Sequence, residues 1–322
     1  MDLNKALAFS CISLTLACAG AAKADDFSFQ TVNNPGDPAF TQLLGINNSS
    51  TIAGYYGDGT IVPNNGFTLV LSNTFTAENF PGGVQTQVVG INNAGETVGF
   101  YIDVAGNNNG FTKVGGTFTT VDNPNSTIFT QLLGVNDSGE AAGYYQNLGG
   151  TQFPFTFKGG TFTGLDSLVP TNTSAQATDV NNSGWITGFY VDPAGVTHGF
   201  LLKGTTETTL DFPGGMSTEA LGLNNDGDVV GVYLDSMGNM HGFVYNIAAN
   251  TYLSVDDPNS VGATTINGIN DDGRIVGFYT NAAGNVDGFV GTPTAAPEPS
   301  SLLLLAPALA GLAFLRRRSL HS

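Results

Sequence analysis

The feature that most constrains this chain is a segment that recurs six times at nearly constant spacing. Each copy carries an apolar residue followed by asparagine, and consecutive asparagines are 43 to 46 residues apart. The six are Asn47, Asn92, Asn136, Asn181, Asn224 and Asn270. Self-similarity at such a period is typical of propellers and solenoids, whose units bury their apolar faces only against their neighbours.

Two further markers follow each asparagine in the same order. A glycine stands seven residues after it and a tyrosine nine residues after it, the tyrosines being Tyr56, Tyr101, Tyr145, Tyr190, Tyr233 and Tyr279. The third marker is a phenylalanine, preceded by glycine in every copy except the one with Pro154. These residues are Phe67, Phe111, Phe155, Phe200, Phe243 and Phe289. Positions held in every repeat favour packing over ligand binding.

Short apolar stretches within each repeat predict strands, and Asn, Asp and Gly clusters between them predict turns. In the fifth repeat we expect strands at Glu219–Leu223, Val229–Tyr233 and Gly242–Tyr245, preceded by one at Thr208–Phe212. Four strands in about 44 residues are typical of one blade of a β-propeller. The sequence therefore predicts an all-β, six-bladed β-propeller with helical signal segments at both ends.

The order of strands at the two ends predicts how the ring closes. The body begins with a fourth-type strand at Phe27–Val32 and ends with a third-type strand at Gly288–Gly291. The sixth blade therefore lacks its outer strand, and the N-terminal strand can supply it without leaving an open edge. A rod-like β-solenoid is the alternative architecture, and it would need no such exchange of ends.

The repeats resemble the HAF family of extracellular repeats. The hallmark Gly-Ile-Asn-(Asp/Asn)-x-Gly-x-x-Val-Gly-(Phe/Tyr)-Tyr is matched at Gly268–Tyr279, and His-Gly-Phe occurs at His198–Phe200 and His241–Phe243. The resemblance covers residues 27–291. It implies an extracellular repeat protein but no particular reaction, because the family is defined by its motif.

Charge narrows the range of partners. Between residues 25 and 296 the chain has four Lys or Arg against 24 Asp or Glu, a net charge of −20. Nucleic acids and anionic membrane surfaces select basic patches, so we expect neither as a partner of this body. Cations and neutral polymers remain compatible with it. Both cysteines, Cys11 and Cys18, precede this region, so we expect no disulfide in it.

The N-terminus has the pattern of a secretory signal peptide. Residues 1–24 combine Lys5, an apolar run from Ala6 to about Ala22, and the small-residue triplet in which Ala22 and Ala24 flank Lys23. This pattern predicts processing by signal peptidase. A buried N-terminal helix is the alternative interpretation.

The C-terminus has three parts in a fixed order. A linker, residues 292–301, contains a Pro-Glu-Pro motif, and a hydrophobic helix with a basic tail, residues 302–322, follows it. The motif residues are Pro297, Glu298 and Pro299, and the basic residues are Arg316, Arg317 and Arg318. This tail resembles the PEP-CTERM sorting signal, which implies an exosortase-type sorting enzyme as partner.

The length of the apolar run limits how firmly it can hold a membrane. Fourteen apolar or small residues, Leu302 to Leu315, would form a helix of about 21 Å, short of a hydrocarbon core of roughly 30 Å. We therefore expect transient inner-membrane anchoring, with the body exported to the cell surface or matrix. An ordinary weak C-terminal anchor is the alternative.

Candidate ligand-binding residues fall in loops that differ between blades, on the face opposite the uniform Asn- and Asp-rich turns. Variable loops on a rigid scaffold are where recognition usually resides. The candidates are Phe80, Phe212, Asp192, His198, Asp235 and His241. A His/Asp metal or acid–base site shared by two adjacent blades is conceivable, but repetition explains these residues better. We expect no catalytic residues, no metal and no cofactor.

The sequence thus favours an exported, non-enzymatic binding or scaffold protein, with an extracellular glycan such as exopolysaccharide as a possible ligand. The alternative is an envelope hydrolase or lyase that acts on polysaccharide. Such an enzyme would need a carboxylate pair or a histidine cluster converging on one mouth of the ring.

Secretion is expected to remove residues 1–24, because the Ala-x-Ala site precedes Asp25. N-terminal sequencing of exported protein should find a chain that starts at Asp25. A secreted chain that retains Lys5 would contradict the prediction.

Overall fold

Six four-stranded antiparallel sheets form a ring, which confirms the predicted six-bladed β-propeller. The structure, a computed structural model, describes residues 27–71, 74–126, 128–170 and 174–294. Each sheet is one blade, and consecutive strands pair in chain order from the centre of the ring outward. The turn-rich sequence with its β-branched and aromatic runs folds in this way because short strands joined by tight turns bury one repeat against the next.

The strand bounds show how each repeat becomes a blade. Blade one consists of β2 (Thr41–Ile46), β3 (Thr51–Tyr56), β4 (Asn65–Val70) and β5 (Thr74–Ala77). Blade two consists of β6 (Gln85–Ile91), β7 (Thr97–Ile102), β8 (Asn108–Val114) and β9 (Thr117–Val121). Blade three consists of β10 (Thr130–Val135), β11 (Ala141–Gln146), β12 (Gln152–Lys158) and β13 (Thr161–Gly164). Blade four consists of β14 (Ser174–Val180), β15 (Trp185–Val191), β16 (Thr197–Lys203) and β17 (Thr206–Leu210). Blade five consists of β18 (Ser217–Leu223), β19 (Asp228–Leu234), β20 (Met240–Asn246) and β21 (Thr251–Val255). Blade six consists of β22 (Thr264–Ile269), β23 (Ile275–Thr280), β24 (Val286–Pro293) and β1 (Phe27–Val32).

The N-terminal strand completes blade six, as the counting of strands predicts. β1 pairs antiparallel with β24 from Phe27 opposite Pro293 to Val32 opposite Gly288. Val32 is buried, and the Phe29 and Phe289 rings meet edge to face with centroids 5.6 Å apart. β24 is therefore paired on both sides, and blade six has four strands like the other five.

Most strand bounds differ from the sequence prediction by one or two residues. The strand predicted at Thr208–Phe212 is β17 and ends at Leu210, before Phe212 and Pro213 begin a turn. Proline lacks an N–H and restricts the residue before it, which explains the earlier end. β24 continues to Pro293, beyond the predicted domain boundary at residue 291.

The ring has two faces with different connections. We call the face that carries the first-to-second and third-to-fourth strand turns the turn face. The opposite face, the loop face, carries the second-to-third strand hairpins and the loops that lead from one blade to the next. β1 begins and β24 ends at the turn face, because Phe27 pairs with Pro293 there. Both ends of the described body therefore leave from that face.

The hydrophobic core is divided among the six junctions between blades. Each of its six clusters combines residues of one blade with residues of the next. The repeated phenylalanines are its largest fully buried members and are 0 to 1 % exposed. Phe67, for example, pairs across the sheet with Gly54, where a Cβ would clash with the carbonyl oxygen of Gln42. Glycine at this position of the second marker leaves room for the Phe67 ring and the neighbouring strand. The burial of all six phenylalanines confirms a packing role for the third marker.

The asparagines of the first marker form a closed hydrogen-bonded ring at the turn face. The Nδ2 group of each donates to the main-chain carbonyl oxygen of the equivalent residue in the next blade, over 3.0 to 3.2 Å. The series runs from Asn47 through all six blades, and Asn270 donates back to Asn47. All six side chains are buried, so the ring joins every blade to both neighbours with satisfied polar groups.

A second ring lies directly outside the first. The backbone N–H of each following residue donates to the side-chain Oδ1 of its neighbour, over 2.8 to 3.0 Å. Asp137 and Asp271 stand in opposite positions of this ring, and each also accepts hydrogen bonds from two flanking asparagine amides. Burial opposes ionisation of Asp137, but the hydrogen bonds from Asn93 and Asn182 outweigh it and lower its pKa. These turns are thus cross-links between blades as well as tight turns.

Removing residues 25–32 should destabilise the whole ring, because β24 becomes an exposed edge and Val32 and Phe29 lose their packing. Each buried aliphatic or aromatic side chain is worth about 1.5 to 3 kcal/mol, so we expect a loss of at least about 3 kcal/mol in the free energy of unfolding. Thermal and urea unfolding would measure it. The variant Ser28→Ala, which changes an exposed side chain of β1, should stay close to the parent protein. Unchanged unfolding of the truncated chain would contradict ring closure by β1.

Candidate functional site

The loop face holds the two predicted histidines in equivalent positions. His198 lies on β16, its Nδ1 is 3.0 Å from both carboxylate oxygens of Asp211, and its Nε2 is 3.5 Å from Asp192 Oδ2. Its ring stacks on Tyr190 with centroids 5.3 Å apart. The predicted pair Asp192 and His198 is therefore brought together, and Asp211 joins it.

His241 on β20 repeats this arrangement one blade later. Its Nδ1 is 2.8 Å from Asp256 Oδ2, its Nε2 is 3.2 Å from Asp235 Oδ2, and its ring stacks on Tyr233. Burial alone would lower the pKa of His241, but the hydrogen bonds to Asp256 and Asp235 outweigh it and raise the pKa. The imidazolium form is thus favoured, with a carboxylate at each nitrogen.

Both carboxylates that contact each histidine belong to its own blade, so the contacts do not form the shared two-blade site considered from the sequence. Within the described ranges, no group of three or more His, Cys, Asp or Glu is arranged to hold a metal ion.

The predicted aspartates of the hairpins also hold their own turns. Asp192 Oδ1 accepts the N–H groups of Ala194 and Val196, both over 2.8 Å. The hydrogen bond from Val196 is the main reason that the pKa of Asp192 is lowered. Asp235 makes the same turn in blade five. The same bonds form at Asp103, Asn147 and Asn281 in other blades. The main role of this position is therefore to form the hairpin turn, whether or not a histidine lies nearby.

Phe80 and Phe212 lie in equivalent loops before β6 and β18. Each ring stacks in parallel on the repeated tyrosine of its blade, Phe80 on Tyr101 at 3.7 Å and Phe212 on Tyr233 at 3.6 Å. Both side chains are half-buried against the core. These contacts give them a packing role, and their ligand-binding role stays a prediction.

A cleft opens beside His241, between blades five and six. We call it the blade-five cleft. It has a volume of about 280 Å³ and is lined by Asn239, Met240, His241, Asp256, Asp257, Ser260, Gly262 and Ala263. The wall consists of polar and small side chains with one methionine, so the cleft suits a polar ligand.

Two residues that line this cleft each have a carboxylate oxygen with no hydrogen-bond partner among the described residues. Asp257 is only 2 % exposed, and its Oδ1 accepts the N–H and the amide of Asn259. Asp257 Oδ2 and Asp256 Oδ1 are buried and unpartnered. Burial raises the pKa of Asp257, and the nearby Asp287 carboxylate adds to the rise. An unpaired buried carboxylate is costly, which makes these oxygens candidates for binding a hydrogen-bond donor.

Equivalent loops show what is special about Asp257. Asn34 and Asn123 occupy its position after β1 and β9, and each accepts the N–H of the residue two positions later, as Asp257 does. The fold therefore accepts asparagine here, and the charge of Asp257 is not needed for the turn. Sequence reasoning missed Asp256 and Asp257, although Asp-Asp-Pro stands where the two equivalent loops read Asn-Asn-Pro and Asp-Asn-Pro, and this difference was a visible signal.

A larger cavity of about 390 Å³ runs along the centre of the ring. In blades one to three its wall repeats glutamine, an aliphatic residue and glycine, as in Gln42, Leu44 and Gly45. Blades four to six depart from this pattern with Thr178, Asp179, Glu219, Thr265 and Asn267. One half of the cavity is therefore more polar than the other. At the turn face the asparagine rings surround a much smaller space of about 70 Å³.

Asp179 stands where the other five blades have glycine. A Cβ at Gly45 would lie 2.6 Å from a carbonyl oxygen of the next blade, which explains the usual glycine. The Asp179 carboxylate instead accepts the N–H groups of Leu223 and Val180 over 2.9 and 2.8 Å. It retains partial solvent exposure because it borders the cavity, but it lies deep in the ring. Burial raises its pKa to about 7 against these hydrogen bonds.

The sorting residues predicted from the sequence lie outside the described residues. These are Ala22, Ala24, Pro297, Glu298, Pro299, Arg316, Arg317 and Arg318. Among the residues described, no helix has the length and apolar character needed to cross a membrane.

A scan against protein-family models and a search of curated proteins both return no match. Solved structures do resemble the fold. The chain is similar to a putative TolB from Agrobacterium tumefaciens, with a TM-score of 0.58, 12% identity, and coverage of 84% of this chain and 99% of that one. It is also similar to an Aleuria aurantia lectin variant in complex with Fucalpha1-6GlcNAc, with a TM-score of 0.50, 12% identity, and coverage of 81% and 99%. These similarities are of fold alone, and the six four-stranded sheets of this chain define its class, the six-bladed β-propellers.

Replacing Asp179 with asparagine should remove the pH dependence that this carboxyl gives to stability. In the parent, the unfolded carboxyl ionises near pH 4 while the folded one stays protonated up to about pH 7, so its contribution to stability is lost as pH rises through that window. We expect the free energy of unfolding of the variant, relative to the parent, to rise by about 1 to 4 kcal/mol between pH 4 and pH 8. At pH 4 the variant should be the less stable protein, because asparagine has one acceptor oxygen for the two N–H groups that the carboxyl accepts. Urea titrations at several pH values would measure it, and a difference independent of pH would contradict the raised pKa.

Proposed function

We propose that this protein is an exported, non-enzymatic binding module that recognises an extracellular glycan through its loop face. The observation that carries the proposal is the blade-five cleft, whose lining residues Asp256 and Asp257 each keep one carboxylate oxygen without a partner in the part of the chain that the structure describes. Sugar hydroxyl groups can donate hydrogen bonds to such carboxylates, and hydrogen bonds to a charged acceptor are stronger than those to a neutral one.

The surroundings of the cleft also suit a sugar. Met240 lines it and is 40 % exposed, and Val261 in the adjoining loop is 61 % exposed. Apolar side chains next to a few fixed polar groups are the usual composition of a small-molecule site. The rigid ring holds the two flanking blades, so the cleft is formed before the ligand arrives and less ordering is needed on binding.

The export part of the proposal rests on the two ends of the sequence. The signal-peptide pattern of residues 1–24 supports secretion, and the PEP-CTERM-like tail supports sorting by an exosortase-type enzyme after transient anchoring in the inner membrane. The HAF-like repeats agree with an extracellular location. In this proposal the mature protein is displayed at the cell surface or released into the matrix, with exopolysaccharide as its ligand.

One observation favours the enzymatic alternative, an envelope hydrolase or lyase. Asp179 and Glu219 line the same central cavity, and burial raises the pKa of both carboxyl groups. Two carboxylic acids in one cleft are what general acid–base cleavage of a glycosidic bond requires. Release of new reducing ends from a bound polysaccharide, abolished by Glu219→Gln, would favour this alternative over simple binding.

A glycan array probed with residues 25–296 tests the binding proposal, since this segment retains all 24 strands. Asp257→Asn should weaken binding of the retained glycan about tenfold or more, equivalent to about 1.4 kcal/mol, because a charged acceptor is lost. Its melting temperature should not fall, because Asn34 and Asn123 show that the turn accepts asparagine.

The matched control is Asp103→Asn, which makes the same chemical change on the same face. Asn147 and Asn281 fill the equivalent position in other blades, so this variant should fold and bind like the parent. If the array retains no glycan, or if Asp257→Asn binds as well as Asp103→Asn, the proposed function is wrong.

A further inference from the structure

Charge is divided unevenly between the two faces of the ring. The hairpins and connecting loops of the loop face carry ten aspartates and no lysine or arginine. The four bases of the described body belong to the turn face. Lys113, Lys158 and Lys203 lie at or next to the ends of β8, β12 and β16, and Arg274 lies in the turn between β22 and β23. The loop face therefore presents an acidic field to any approaching polymer.

The unpartnered carboxylate oxygens of the blade-five cleft lie within this acidic face. Asp257 is almost fully buried, so its free Oδ2 has lost hydration without gaining a hydrogen bond. The positive charge favoured on His241 is already balanced, because Asp235 and Asp256 each contact one of its ring nitrogens. The carboxylate of Asp257 is thus left without a counter-charge among the residues that line the cleft.

From this combination we infer that the blade-five cleft binds the protonated amine of a cationic amino-sugar polymer, in preference to a neutral or an acidic glycan. The inference rests on the proposed glycan-binding function and specifies its ligand class. An ammonium group has three N–H donors and a positive charge. The unpartnered oxygens of Asp256 and Asp257 could accept two of its hydrogen bonds. Charge-assisted hydrogen bonds of this kind are about twice as strong as neutral ones.

Electrostatics disfavours the other glycan classes. A polyuronate would approach ten aspartates, the hairpins and connecting loops of this face offer it no lysine or arginine, and like charges raise the cost of binding. An N-acetylated sugar retains the ring and its hydroxyl groups but has no charge to offset that of Asp257. The amine is therefore the group by which this cleft would distinguish one polymer from another.

The test compares two probes of equal length that differ only in charge, a glucosamine tetramer and its fully N-acetylated form. Binding to residues 25–296 would be measured by calorimetry at low salt and in about 0.5 M sodium chloride, which screens exposed charges. We expect the glucosamine tetramer to bind roughly tenfold more tightly at low salt, and part of the preference to survive in high salt because Asp257 is buried.

Two variants separate the cleft from the general acidity of the face. Asp257→Asn and Asp103→Asn each remove one negative charge from it, so non-specific attraction would fall equally in both. We expect the preference for the amine to disappear in Asp257→Asn and to persist in Asp103→Asn.

The outcomes also separate this inference from the proposed function. Equal or tighter binding of the acetylated tetramer, or equal losses in the two variants, would overturn the amine preference but leave glycan binding intact. If neither tetramer binds and the glycan array is also blank, both proposals are wrong.

Discussion

The closed ring of asparagine hydrogen bonds is the interaction on which the architecture depends. Each Nδ2 group donates to a carbonyl oxygen of the next blade, and the sixth donates to the first, so no blade lacks a neighbour. Because every donor and acceptor in the ring is buried and paired, breaking one link would leave two polar groups unsatisfied. The outer strand β1 closes the same circle at the rim, where it pairs with β24. The blades are short, and their apolar surfaces are covered only when both closures are complete.

The sequence was sufficient to predict the fold because its information is repeated. The spacing of the asparagines, the Gly-x-Tyr marker and the Gly-Phe marker each occur six times, and the surplus strand at Phe27–Val32 fixed the mode of closure. The partners of the asparagine side chains were not predictable, because they lie about 44 residues away and meet only in the ring. Turn chemistry explained these residues locally, and cross-linking between blades explains why they recur.

The candidate site was harder to predict, because it arises where the repeats differ. Asp192 and Asp235 lie near the histidines in sequence, but their side chains hold hairpin turns. Asp257 and Asp179 carry no motif in the sequence, and only the closed ring places one beside a cleft and the other on the central cavity. Both replace a residue that other blades show to be sufficient for the fold, asparagine in one case and glycine in the other. Placing these carboxyl groups inside the protein costs free energy, and packing alone does not explain why they are there.

Both ends of the described body leave from the turn face, and this determines how several anchored copies would be oriented. In the proposed anchored form, a tether at that face would point every loop face away from the surface that holds it, and neighbouring copies would present their clefts in one common direction. A long polymer of the proposed ligand class lying across such a layer would meet one cleft after another, and each later contact would form at high effective concentration. Weak single contacts would then retain the polymer while each bond still exchanged, so the polymer could slide and rearrange without being released.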